Sequence, residues 1–121
     1  MKTLRILIAG AVSSLLFVST AWPHAHLDRA SPAERAEETT SPAAVTLTFT
    51  QEIELTLSSI KVTNGKGEPI PTGAPENVGG NRKSLRVGLP RLAPGVYKVD
   101  WAVTSVDTHR VDGSYTFAIK P

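Results

Sequence analysis

The sequence predicts an all-β domain, an immunoglobulin-like β-sandwich or Greek-key β-barrel of about seven short strands. Three observations carry that reading. Apolar and polar residues alternate in several short stretches, the period of a half-buried strand. Glycine- and proline-rich punctuation separates those stretches, as turns separate strands. No stretch of useful length within residues 24–121 has the period of an amphipathic helix. A length of 121 residues, 40% hydrophobic and 20% charged, fits one globular domain.

The chain begins with Lys2 and Arg5, followed over residues 6–18 by an uncharged apolar run broken only by Gly10, Ser13 and Ser14. A basic head and an apolar stretch of this kind form a secretory signal, the alternative being an uncleaved N-terminal anchor. The run is shorter than the roughly 20 apolar residues that a membrane-spanning helix needs. Residues 1–23 are therefore assigned to the signal and residues 24–121 to the exported domain. Three cuts compete. One after Ala21 satisfies the small-residue rule with Ser19 and Ala21 and leaves Trp22 first; one after Pro23 exposes His24; one after Ala25 exposes His26. The choice has chemical weight, because a terminal histidine chelates a metal through amine and ring together.

Loss of Lys2 and Arg5 leaves 11 of the 13 basic residues against 11 acidic ones, so the exported domain is formally neutral. A nucleic-acid partner, which would want a basic face, is not expected. Arg82, Lys83, Arg86 and Arg91 cluster loosely and read as solvated sheet edges and turns. The absence of cysteine removes both a disulfide framework and a thiolate site, leaving a hydrophobic core to hold the fold.

In chain order, residues 28–42 read as polar and extended or turning, since Ser31-Pro32 and Ser41-Pro42 break any helix between them. Residues 34–38 form a solvated face with room for one helical turn. Val45, Leu47 and Phe49 then alternate with threonines as a strand. Leu55, Leu57, Ile60 and Val62 indicate a further strand or pair that ends in an Asn64-Gly65 turn. Residues 64–81 are loop with a short edge strand near Ile70, and their glycines match no phosphate-binding motif. Leu85, Val87 and Leu89 mark the next strand. Ala93-Pro94-Gly95 turns the chain into another, with Tyr97, Val99, Trp101 and Val103 on one parity. Tyr115, Phe117 and Ile119 mark the last.

The segment between these two final strands, residues 105–113, carries Asp107 and His109, and the other two histidines of the chain are His24 and His26. Imidazole nitrogens with one carboxylate oxygen suit divalent copper in a tetragonal field and also suit zinc. Monovalent copper is disfavoured, because the only methionine, Met1, leaves with the signal. The competing reading puts His24 and His26 on a frayed terminus and makes Asp107 a turn cap. Asp100, Ser105, Thr108 and Asp112 are candidates to orient the rings.

The string YKVDWAVTSVDTHRVDGSYTF resembles the C-terminal hallmark of the CopC-like periplasmic copper-binding proteins. Its parts are Tyr97-x-Val99-x-Trp101, then Ser105-x-Asp107-x-His109, then Gly113 and Phe117. HAHLDRASPA resembles the mature beginning of the same family, and the similarity spans the whole exported domain. The resemblance implies a divalent-copper site whose ligands are His24 with its amine, Asp107 and His109, with His26 at the place of a second N-terminal histidine. Residues 63–80 lack the methionine-rich loop of two-site members, which implies one Cu(II) per chain. It further implies a monomeric, non-enzymatic periplasmic carrier or buffer in copper homeostasis or resistance, exchanging copper with a CopD-type inner-membrane transporter. Two alternatives from other classes are a histidine-brace copper oxygenase and a metal-free immunoglobulin-like adhesion or assembly module.

Overall fold

The computed structural model describes Thr3 and residues 25–121; apart from Thr3, the expected signal segment and His24 lie outside the described residues. Two antiparallel-dominated sheets face one another, so the sandwich, and not the closed barrel, is the architecture formed. The strands in chain order are β1 (Leu27–Ser31), β2 (Glu37–Glu38), β3 (Ala44–Phe49), β4 (Ser59–Thr63), β5 (Pro69–Ile70), β6 (Glu76–Val78), β7 (Asn81–Gly88), β8 (Gly95–Thr104) and β9 (Arg110–Ile119). One sheet runs β1-β3-β7-β6 and the other β2-β9-β8-β4-β5. β2 and β5 are only two residues long, which reconciles nine strands with the expectation of about seven.

The alternation read from the sequence is the alternation of the core. Val45, Leu47 and Phe49 of β3 and Leu85 and Val87 of β7 pack from one sheet. Ile60, Val62, Tyr97, Val99, Trp101, Val103, Tyr115, Phe117 and Ile119 pack from the other. Across the sheets, Phe49 meets Trp101 edge-on, with ring centroids 5.3 Å apart and planes at 64°. Within the second sheet Tyr97 and Phe117, directly opposite in register, stack at 5.6 Å. Aromatic pairs of this kind add about 0.5–1.5 kcal/mol beyond the area they bury.

Three segments depart from the sequence expectation. β1 forms where only an extended or turning segment was expected; it is an edge strand, bulged between Leu27 and Arg29, and its exposed Asp28 and Arg29 erase the alternation. Residues 34–38 form no helical turn. Arg35 takes a positive φ of 61°, its N–H donates to the Thr116 carbonyl at 2.7 Å, and β2 then pairs in parallel with the end of β9. Leu55–Leu57 is a 3-10 turn, closed by Ser58 N–H to the Leu55 carbonyl at 3.2 Å, and Leu57 is exposed. The loop after β4 behaves as read. The Asn64 carboxamide oxygen accepts from Lys66 and Glu68 N–H at 3.0 Å each, and β5 lies at Ile70, though β6 adds a pairing not anticipated.

β8 and β9 pair over their full length, from Gly95↔Ile119 to Thr104↔Arg110. Gly113 sits opposite Trp101 in that ladder, and a Cβ there would lie 2.5 Å from Trp101 Cζ2 and 2.8 Å from Cε2. The indole therefore occupies the volume that a side chain would need. Gly113→Ala is expected to destabilise the domain by about 1–3 kcal/mol, the usual cost of overpacking a core, seen as a lower urea midpoint with an unchanged slope.

Candidate metal centre

Three chain segments meet at one end of the sandwich. The first is the entry to β1. Ala25 is fully buried in the core, and His26, exposed beside it, donates its N–H to Thr50 Oγ1 at 2.9 Å while its carbonyl accepts from Thr50 N–H at 2.9 Å. The second is the connection leaving β3, in which Ile53 is buried and forms an isolated bridge with Ser105. The third is the turn from β8 to β9, residues 105–109. Val106 N–H donates to the Glu52 carbonyl at 3.1 Å, and Glu54 N–H to the Thr104 carbonyl at 2.8 Å. The connection thus holds the histidine-bearing terminus at Thr50 and the β8–β9 turn at Glu52 and Ile53.

Within the turn, Ser105 N–H donates to the His109 carbonyl at 2.9 Å and Thr108 N–H to the Ser105 carbonyl at 2.9 Å. Thr108 adopts φ 72°, and its hydroxyl donates to the Asp107 carbonyl at 2.6 Å. This reversal, not an extended segment, puts the two side chains together: Asp107 Oδ1 lies 3.5 Å from His109 Nδ1. The fully buried Ser105 donates a short hydrogen bond from Oγ to the same Asp107 oxygen. That hydrogen bond, with the hydrogen bond and positive charge of His109, holds the Asp107 carboxyl below its ordinary range, desolvation opposing it in part.

Asp107 and His109 are therefore brought into direct contact, and His26 is tied to the same end. His24 lies outside the described residues, next to the anchored Ala25. Among the described residues, no group of three or more His, Asp or Glu side chains forms a ready metal cluster. Of the four residues expected to orient the rings, Ser105 and Thr108 touch Asp107. Asp100 instead pairs with Lys98 at 3.6 Å, and Asp112 is exposed along β9, opposite Ala102. Thr50 and Glu52 are not singled out in the sequence, and Ala25 only as a possible cleavage position. Ile53, a lone aliphatic residue among Gln51, Glu52 and Glu54, was the available signal.

The basic residues read as solvated edges lie there. Arg82 reaches Glu52 at 3.4 Å and Glu54 at 4.0 Å, and Arg86 reaches Glu76 at 3.5 Å, all with exposed side chains. Such surface pairs stabilise little, about 0–1 kcal/mol each.

The model of the CopC domain family matches residues 27–120. Protein YobA of Escherichia coli (strain K12) is 41% identical over 120 residues, covering 98% of this chain and 96% of its own length. Copper transport protein CutJ of Bacillus subtilis (strain 168) is 33% identical over 101 residues, covering 83% of this chain but 19% of that protein. Among solved structures, CopC from Methylosinus trichosporium OB3b superposes with a TM-score of 0.76 at 32% identity, covering 81% of this chain and 95% of that one. PcoC, a methionine-rich copper resistance protein from Escherichia coli, does so with a TM-score of 0.71 at 28% identity, covering 80% and 99%.

Because its partners favour the charged form, Asp107 contributes stability that is present above the unfolded-state pKa and lost only as pH falls through the lower folded-state value. A carbon-13 NMR titration of the metal-free protein should give an Asp107 midpoint below the ordinary aspartate value, moving up in Ser105→Ala. An unshifted midpoint would contradict the geometry of the turn.

Proposed function

The chain belongs to the CopC domain family, and on that premise we propose that it is a periplasmic copper carrier or buffer that holds one Cu(II) through His24, His26, Asp107 and His109. The observation that supports this reading is the Asp107–His109 pair, fixed on a turn that shares a supporting connection with His26. An ionised carboxylate and neutral imidazoles are the borderline-hard donors that suit Cu(II), and thioether ligands for Cu(I) are missing from the chain beyond Met1. In this respect the chain differs from PcoC, described as methionine-rich.

The placement also suits a carrier. Asp107 and His109 are exposed, on a turn held by a rigid ladder, so an incoming donor can reach the ion while the scaffold stays folded. The other partner in the proposal is a CopD-type inner-membrane protein. Its support is CutJ, in which a region similar to this chain makes up 19% of a longer copper transport protein. No bond-making step is assigned to the site: it takes up and releases an ion.

Imidazole and amine nitrogens must be free of their protons to bind a metal, so affinity falls as pH drops from neutral into the mildly acidic range. Asp107 remains ionised throughout that range and does not cause the fall.

The test is copper titration of the exported, processed protein, with intact mass establishing the true N-terminus and electron paramagnetic resonance reporting the ligand field. One equivalent of Cu(II) in a tetragonal nitrogen-and-oxygen field is expected. His109→Ala should weaken it by more than the roughly 10–100-fold that follows loss of an outer hydrogen-bonding partner. Correctly processed protein without a specific copper site would overturn the carrier reading and favour the metal-free module.

A further inference from the structure

We propose that Ser105 is the positioning residue of the copper site, its buried hydroxyl setting which oxygen of Asp107 is offered to the ion. This rests on the copper reading above. Ser105 is fully buried at the end of β8, bridged to Ile53, so solvent does not compete for its hydroxyl. Both proposed ligands of the turn depend on it. Oγ lies close to Asp107 Oδ1 and 3.2 Å from the His109 carbonyl, and it accepts the His109 N–H at 3.3 Å. A hydroxyl has one proton to give, and the ionised carboxylate, closer and more strongly accepting, takes it.

Two consequences follow. The contacts of the carboxylate converge on Oδ1, where Ser105 Oγ and His109 Nδ1 both lie, so in this proposal Oδ2 is the oxygen left for the ion. Thr108, between the ligands, is held at φ 72°, a conformation that a threonine adopts only when its surroundings impose it. The Ser105–His109 contacts close the turn around that residue. Without the hydroxyl, Asp107 is released to rotate, either to chelate with both oxygens or to turn away, and the field at the ion changes.

Ser58 provides the control. It too is a buried serine near the end of β8, donating to the Glu54 carbonyl at 2.7 Å and accepting from Thr104 N–H at 3.3 Å, and its hydroxyl touches neither Asp107 nor His109. Copper affinity and the electron paramagnetic resonance spectrum would be measured for the processed wild type, Ser105→Ala, Ser105→Thr, Ser58→Ala and His109→Ala. Ser105→Ala should bind roughly 10–100-fold more weakly, with a changed spectrum. Ser105→Thr, which keeps the hydroxyl, should restore the wild-type spectrum, and Ser58→Ala should leave both readouts unchanged. A Ser105→Ala variant that binds like wild type, or a Ser58→Ala variant that loses as much, overturns the assignment. A wild type with no copper site, or an unaffected His109→Ala, overturns the copper reading and this one with it. One measurement needs no variant. NMR of the metal-free wild type should show a Ser105 hydroxyl proton protected from exchange and correlated with the Asp107 carboxyl carbon, and a freely exchanging proton would refute the clamp.

Discussion

The end of the domain that carries Asp107 and His109 depends on the burial of one aliphatic side chain outside the named strands, Ile53. Filling the core at this point stabilises the fold by about 1.5–3 kcal/mol, the usual gain for a fully buried residue of this size. Its greater effect is geometric. With the side chain plugged into the core, the backbone on either side has no room to wander, and its polar groups become fixed attachment points. Ile53 N–H meets the Arg82 carbonyl at 2.9 Å, Glu52 accepts from Val106, and Glu54 donates to Thr104. Hydrophobic burial is thereby converted into the positioning of a polar turn.

What could be read from the sequence was whatever has one buried side and one wet side. β3 and β8 announced themselves because Val45, Leu47 and Phe49, and Tyr97, Val99, Trp101 and Val103, all face the core. β1, β2 and β6 did not, since edge strands with charged residues show no such contrast, and a two-residue pairing shows no period at all. Leu55 and Leu57 misled for a related reason. A short apolar pair looks the same whether it alternates in a strand or straddles a 3-10 turn with Leu57 exposed.

The site was legible to the same degree. Asp107 and His109 stood out as a short pairing between two clear strands. Their contact needs the left-handed conformation of Thr108, which no threonine advertises. The tie to His26 was hidden, because it runs through Thr50 and Glu52, ordinary polar residues far from both ends of the chain. Such a link belongs to strand register and core filling, and neither is written locally.

Among the described residues, all four borders of the two sheets are poor templates. The five-stranded sheet ends in two-residue strands, β2 and β5, and the four-stranded sheet ends in β1 and β6, both irregular in register. A neighbouring chain looking for a long ladder of open N–H and carbonyl groups would find it short at β2 and β5 and broken by a register shift at β1 and β6. A domain whose regular structure, among the described residues, is all strand apart from one 3-10 turn, and which has no disulfide to staple it, is in this way guarded against growing into a fibre by the brevity of its own margins.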